Sequence, residues 1–225
     1  MAFGNLAYWG LTSVDRFSLK QWAGLDELGI YSMAVSFGAV ALIFQSVFST
    51  IWAPLVFKWV EDKTHLDKIG GITLSMTELI SAMICFIGIF SPVVTWILPD
   101  KYAPAQFLLL SCMLYPLFYT LTEVSGIGLN VVKRTWLITA VNIVAFAINF
   151  GLLSLLVPHL GARGAAIASA ISFWVFCVIK TEFSSRVWRP LPRLKIYTNT
   201  ALSVLLCVSY TYFGTKENYP LFALL

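Results

Sequence analysis

The chain has 225 residues, of which 59% belong to the hydrophobic set and 12% are charged, and its mean hydropathy is +0.81. The charged share is about half of that in typical soluble domains. This composition excludes a water-soluble core covered by polar surface and favours helices embedded in lipid. The formal charge of +4 comes from basic residues between apolar runs, which indicates membrane topology rather than nucleic-acid binding.

The apolar runs predict about seven transmembrane helices and the start of an eighth, because a helix needs about 20 mostly apolar residues to cross the hydrocarbon. In chain order the predicted helices cover residues 1–19, 28–57, 70–98, 105–132, 136–157, 164–183, 196–213 and 219–225. None of these runs alternates as a β-barrel strand does. The predicted fold class is all-α, a polytopic transmembrane helix bundle that forms one membrane domain over residues 1–225. Since both termini lie within membrane runs, we expect a fragment of a longer protein.

Basic residues are unequally divided between alternate loops. The second, fourth and sixth loops hold ten: Lys58, Lys63, Lys68, Lys133, Arg134, Lys180, Arg186, Arg189, Arg193 and Lys195. The odd loops hold five: Arg16, Lys20, Lys101, Arg163 and Lys216. Because cytoplasmic loops carry an excess of Lys and Arg, the even loops are predicted to be cytoplasmic.

Asp15 and Arg16 interrupt the first run about one turn before its predicted end. Ionisable residues at membrane depth are costly and tend to face a bundle interior or a wet cavity. Adjacent helix positions point about 100° apart, so Asp15 can brace another helix while Arg16 faces a cavity. The alternative is that Arg16 snorkels to the interface together with Lys20.

Two lone carboxylates, Glu78 and Glu123, lie inside the third and fourth apolar runs. By the loop charges, each falls in the cytoplasmic half of its helix. Each could pair with a cation or take up a coupling proton, which makes both candidates for ion coupling. The alternative is a static interhelical hydrogen bond from a protonated carboxyl.

The fifth helix carries Thr135, Asn142 and Asn149 at steps of seven, a spacing that places residues on one helix face. Such a stripe could line a cavity and hydrogen-bond sugar hydroxyls, with Tyr119 of the fourth helix as a further donor. Polar contacts between helices are the slightly favoured alternative.

The beginning of the sixth helix is rich in small residues. Gly164, Ala165, Ala168, Ser169 and Ser172 form a smooth face that lets another helix approach closely. This pattern is interpreted as structural.

Chemistry-bearing motifs are missing from the sequence: it has no nucleophile–base–acid set, phosphate-binding loop or metal-ligand spacing. The four cysteines, Cys85, Cys112, Cys177 and Cys207, all lie within apolar runs, where a thiol behaves as a small hydrophobic group. We therefore expect a protein that is not an enzyme and that holds no metal and no cofactor.

Four segments resemble, in order, the second half of the Wzx-type O-antigen and polysaccharide flippases. They are Trp9-Gly10-Leu11-Thr12-Ser13-Val14-Asp15-Arg16-Phe17, Leu28-Gly29-Ile30-Tyr31-Ser32, Leu98-Pro99-Asp100-Lys101-Tyr102 and Val157-Pro158-His159-Leu160-Gly161-Ala162-Arg163-Gly164-Ala165-Ala166. The ordered set spans about residues 1 to 185. These flippases belong to the multidrug/oligosaccharidyl-lipid/polysaccharide exporter superfamily.

The resemblance implies a transporter of two helical lobes, of which this chain would be the second. Family members move undecaprenyl-diphosphate-linked sugar repeats across the bacterial inner membrane for O-antigen, capsule or exopolysaccharide biosynthesis. The implied partners are the lipid-linked oligosaccharide, membrane lipid and the missing N-terminal lobe, with a polysaccharide polymerase and chain-length regulator nearby and no nucleic acid. Arg16, Asp15, Asn142, Asn149 and Tyr119 would contact the substrate.

Three alternatives stay open. A multidrug or ion antiporter of the same superfamily would use acidic residues such as Glu78 and Glu123, although the Asp15-Arg16 and Gly29-Ile30-Tyr31 segments argue against it. A membrane polysaccharide polymerase or ligase would usually carry a large periplasmic loop, whereas every predicted outer loop here is short. A non-catalytic partner subunit is the third alternative.

Overall fold

The computed structural model describes residues 2–215, apart from the side chains of residues 2–9, 11 and 12. Within this range every regular element is helical, which confirms the predicted all-α bundle. The α-helices are α1 (Ala2–Trp22), α2 (Leu25–Phe37), α3 (Ala39–Glu61), α4 (Ile69–Phe90), α5 (Val93–Ile97), α6 (Ala105–Ser125), α7 (Ile127–Val131), α8 (Thr135–Val187) and α9 (Arg193–Phe213). Short 3₁₀ turns lie at Leu66–Lys68 and Asp100–Tyr102. The eighth helix predicted at 219–225 lies outside the described residues.

Three of the predicted runs are divided in the structure. Gly38 separates α2 from α3, Pro92 precedes the short α5, and Gly126 separates α6 from α7. Glycine and proline are the two poorest residues in a helix interior, which explains why the divisions fall at these positions. Hydropathy alone predicts one continuous helix in each of these three runs, because the residues on both sides of each division are apolar.

The fifth and sixth predicted runs are joined end to end in α8. The only non-helical backbone inside α8 is at Gly161, with φ 55° and ψ −131°. A residue with a Cβ is strained in this region, whereas glycine adopts it readily. The two halves of α8, residues 135–160 and 162–187, therefore reverse direction at Gly161, and a Cβ on Gly164 would lie only 2.5 Å from the Leu156 carbonyl oxygen.

The odd-numbered loops meet at one end of the bundle, called here the Glu27 end. Lys101 Nζ lies 2.8 Å from Asp26 Oδ1, and Glu27 Oε2 accepts a 2.7 Å hydrogen bond from the Ala162 amide. Arg163 donates hydrogen bonds to two carbonyl groups at the C-terminal end of α9. Loops one, three and five thus lie together, next to the end of α9.

The even-numbered loops lie at the opposite end, called here the Trp188 end. A Cβ added to Gly70, after the second loop, would lie 3.7 Å from the Pro192 ring of the sixth loop. A Cβ added to Gly128, before the fourth loop, would meet Ser184 and Trp188 within 2.8 Å. The helices therefore alternate in direction along the chain.

The bundle is arranged around α6, which packs against α2, α3, α4, α8 and α9. In an apolar stretch of 18 residues within α6, 83% of the residues are buried, compared with 17% in the corresponding stretch of α3. The exposed stripe of α3 consists of Val40, Ile43, Val47 and Ile51. Such a surface suits lipid, not water.

Four helices of the described part are long and apolar enough to cross a membrane. They cover Ala39–Glu61, Leu66–Phe90, Ala105–Ser125 and Thr135–Val187. With the apolar exterior of α3, they make the chain a helical membrane protein.

Candidate functional site

A buried network of polar side chains is centred on the carboxylate of Asp15. Asp15 Oδ2 accepts hydrogen bonds from the Tyr31 hydroxyl at 2.8 Å and the Ser169 hydroxyl at 2.7 Å. Asp15 Oδ1 accepts from Asn149 Nδ2 at 3.0 Å, and Ser172 donates to Asn149 Oδ1 at 3.3 Å. All five side chains are buried. These residues, called the aspartate network, tie α1, α2 and both halves of α8 together.

The reversal of α8 at Gly161 is what brings Asn149 and Ser169 to the same carboxylate. The two residues lie on opposite sides of the reversal, at similar distances along the chain from it. Ser169 and Ser172 belong to the small-residue face noted in the sequence, and that face is buried. Small side chains there let α1 and α2 approach closely enough for direct hydrogen bonds.

The network can hold Asp15 with or without a proton. When ionised, the carboxylate only accepts, which matches the three donors around it. Ser169 Oγ also lies 3.0 Å from the Ala165 carbonyl oxygen. A protonated Asp15 could therefore donate to Ser169 while the Ser169 hydroxyl turns to donate to Ala165. Only one hydroxyl has to rotate between the two states.

A second buried charge, Lys180, lies near the Trp188 end. Its Nζ is 3.9 Å from Glu123 Oε1 and donates a 3.1 Å hydrogen bond to the Thr122 hydroxyl. The rings of Tyr119 and Phe176 each have their centroid 5.3 Å from this nitrogen, which is within the range of cation–π attraction. These five residues, called the lysine site, join α6 to the second half of α8.

Glycine makes room for the lysine stem. A Cβ on Gly126 would lie 2.8 Å from Lys180 Cε and 2.9 Å from its Cγ. A hydrogen bond of 2.7 Å between the hydroxyls of Ser125, just before Gly126, and Thr181, just after Lys180, holds the same two helices together. The close approach at Gly126 thus sets the path of the buried side chain.

The structure brings together some of the residues singled out in the sequence and separates others. Asn149 donates a hydrogen bond to Asp15. Glu123 and the Tyr119 ring both lie next to the Lys180 ammonium group. Asn142 is buried on the same half of α8 as Asn149.

Arg16 and Glu78 are both exposed and lie outside these two clusters. Glu78 lines a groove of about 290 Å³ between α4 and α9 together with Ser81, Asn199 and Ser203. The Ser81 and Ser203 hydroxyls lie 3.2 Å apart across this groove.

Lys180 was counted in the sequence as a loop residue, whereas it is buried within α8. Helix α8 continues to Val187, so Lys180 lies in the bundle with a side chain only 6% exposed. The sequence did contain a signal, because Thr181, Ser184 and Ser185 continue the pattern of small polar residues beyond Lys180. Glu27 was also missed as a hydrogen-bond partner of the Ala162 amide.

The described residues contain no group of three or more His, Cys, Asp and Glu side chains that could hold a metal ion. Comparison of the chain with protein-family models, curated proteins and solved structures gave no match.

Proposed function

We propose that this chain is a lobe of a bacterial inner-membrane flippase that moves undecaprenyl-diphosphate-linked oligosaccharides for surface-polysaccharide biosynthesis. One observation supports it most: the first three segments that resemble the flippases lie against one another in the bundle. Tyr31 donates a hydrogen bond to Asp15, and a Cβ on Gly29 would lie 3.4 Å from the Tyr102 ring. The fourth segment contributes Gly161, where α8 reverses. The ordered resemblance thus falls on residues that build the bundle.

The Trp188 end is proposed to be cytoplasmic. With Lys180 assigned to the helix, this end still carries nine basic residues in and beside its loops, compared with four in the described odd loops and helix ends. An excess of Lys and Arg marks the cytoplasmic side. Substrate would then enter near the Trp188 end and leave near the Glu27 end.

Arg16 is the proposed contact for the substrate diphosphate. Asp15 is held inward by three hydrogen bonds, so the next side chain along α1 is turned outward, and Arg16 is exposed. A guanidinium can bind phosphate oxygens through two parallel hydrogen bonds, which an ammonium cannot reproduce. In this proposal Asp15 is a positioning residue for Arg16.

The test is substitution of Arg16 at the chromosomal locus, with surface-polysaccharide laddering measured beside protein abundance. Arg16→Ala should abolish laddering at normal abundance, and Arg16→Lys should retain part of it because the charge survives. Lys20→Ala, which removes an exposed cation one turn away, is the matched control and should leave laddering intact. Normal laddering in Arg16→Ala at equal abundance would refute the substrate contact.

A cation antiporter of the same superfamily is the second candidate, and Glu78 is the observation that favours it. This carboxylate is exposed near the middle of the apolar segment Leu66–Phe90 and faces a groove with polar residues. An antiporter predicts that Glu78→Gln raises sensitivity to cationic drugs and leaves laddering unchanged. The flippase proposal predicts unchanged drug sensitivity.

A further inference from the structure

The segment between α8 and α9 forms a groove at the Trp188 end that neither buried cluster uses. The groove has a volume of about 610 Å³ and is lined by Glu182, Leu191, Pro192, Arg193, Leu194, Lys195 and Tyr197. It combines two basic side chains with an apolar wall.

The acidic residue of the groove is already neutralised by its neighbours. Glu182 Oε1 lies 2.6 Å from Arg186 Nε and 2.8 Å from Arg193 Nη1, and Glu182 Oε2 accepts a 3.0 Å hydrogen bond from the Tyr197 hydroxyl. These contacts hold the Arg193 guanidinium at the groove and leave its other N–H groups for a ligand. Lys195 makes no ion pair with any residue in the range 2–215. Counting Arg186, the groove carries an excess of two positive charges.

An apolar stripe leads away from the groove along α9. Leu194, Leu202 and Leu205 are 78%, 68% and 63% exposed. Their spacing of eight and three residues places them on one side of the helix. The stripe runs from the groove toward the middle of the membrane, so the ligand that fits both features has an anionic head and an apolar tail.

We propose that this groove binds the phosphate headgroup of an anionic phospholipid in the adjacent leaflet, with the acyl chains lying along Leu194, Leu202 and Leu205. Arg193 and Lys195 supply the charge for the phosphate. Basic pockets beside transmembrane helices recognise anionic headgroups in this way. The proposal concerns a lipid site, and it stands whether or not the chain is a flippase.

The experiment measures retained phospholipid on the purified chain by native mass spectrometry, with phosphatidylglycerol and phosphatidylcholine as probes. The Arg193→Gln/Lys195→Gln protein should bind phosphatidylglycerol at least about tenfold more weakly than the wild type, because the groove loses both cations that contact the headgroup phosphate. The matched control is Lys58→Gln/Arg134→Gln, which removes the same charges at the same end outside the groove. It should retain wild-type binding, and phosphatidylcholine should bind weakly to all three proteins.

The single variant Lys195→Gln is a second test, because replacing Arg193 also removes its ion pair with Glu182. Lys195 makes no ion pair within the described range. This variant should lower phosphatidylglycerol binding severalfold. An equal loss of phosphatidylglycerol binding in the control variant would show diffuse charge attraction and would overturn the site. Undiminished phosphatidylglycerol binding in the groove variants would also overturn it. Equal binding of glycerol phosphate without acyl chains would assign the groove to a free phosphate and overturn the lipid assignment.

Discussion

The aspartate network and the lysine site each hold one ionisable side chain inside the apolar bundle. Asp15 lies seven residues before the end of α1, and Lys180 lies seven residues before the end of α8, so each is about 10 Å from a helix end. They lie near opposite ends of the bundle. The surroundings of the two charges differ in kind.

Asp15 is held by neutral donors alone, whereas Lys180 has an acid, a hydroxyl and two aromatic faces. The three donors to Asp15 lie at ordinary hydrogen-bond distances of 2.7–3.0 Å, but the Lys180–Glu123 distance is 3.9 Å, near the upper limit for an ion pair. An ion pair at this distance gains less energy to offset the desolvation of its two charges. We therefore expect the aspartate network to stabilise the bundle more than the lysine site does.

The largest expected effect is that of Asp15→Ala, which leaves three buried donors without their acceptor. The free energy of unfolding in detergent should fall by about 3 kcal/mol, from the cost of unsatisfied buried groups and the smaller value of hydrogen bonds in membrane proteins. Arg16→Ala, at the exposed neighbouring position, is the control and should change stability little. Equal stability of the two variants would remove the aspartate network as a stabilising element.

The dependence of the aspartate network on the reversal of α8 is tested by Gly161→Ala. Its Cβ would lie within van der Waals overlap of the Glu27 carboxylate, and alanine is strained at φ 55°. Unfolding free energy should fall by about 2 kcal/mol. Gly151→Ala, at a helical glycine with nothing within 4 Å of the added Cβ, should be neutral or mildly stabilising. If both glycine variants behave alike, the reversal does not need glycine.

Substitution in the lysine site is expected to lower the unfolding free energy less than substitution in the aspartate network. Lys180→Met should lower the unfolding free energy by about 1 kcal/mol, because methionine fills the space and Glu123 is 17% exposed. Adding Glu123→Gln should recover most of that loss, since no acid is then left without its cation. A double-mutant cycle measures the coupling. A coupling as large as the loss in Asp15→Ala would show that the lysine site stabilises the bundle as much as the aspartate network does.

The exposed ion pair between Lys101 and Asp26 should give the smallest effect. The hydrogen bond and the charge of Lys101 lower the pKa of Asp26 below its ordinary value of 3.8. Any stabilisation is therefore present above that value and is lost as the pH falls through the lower, folded-state pKa. Both groups face water, so screening leaves little net energy. The thermal midpoints of Lys101→Gln and the unchanged chain should coincide at neutral pH. A clear difference between the two midpoints would show that the ion pair stabilises the fold despite screening.

Candidate functional residues were only partly predictable. Asp15 stood out in the sequence because a carboxylate inside an apolar run has few explanations, and Asn149 stood out through its spacing. Tyr31 and Ser169 were noted only within a resembling segment and a small-residue face, not as partners of Asp15, because a tyrosine and a serine are ordinary in such helices. Lys180 was counted with the basic residues of the sixth loop although it falls within the predicted helix 164–183, since a lysine after an apolar run is usually the first residue of a loop.

The sequence by itself determined the class of protein and placed Asp15 and Glu123 within apolar helices, because hydropathy is a local property of the chain. Only the tertiary structure decided the partners of those charges. Asn149 and Ser169 are 134 and 154 residues from Asp15 along the chain. Their meeting depends on the reversal at Gly161 and on close helix packing, which fix distances between segments that no local pattern encodes.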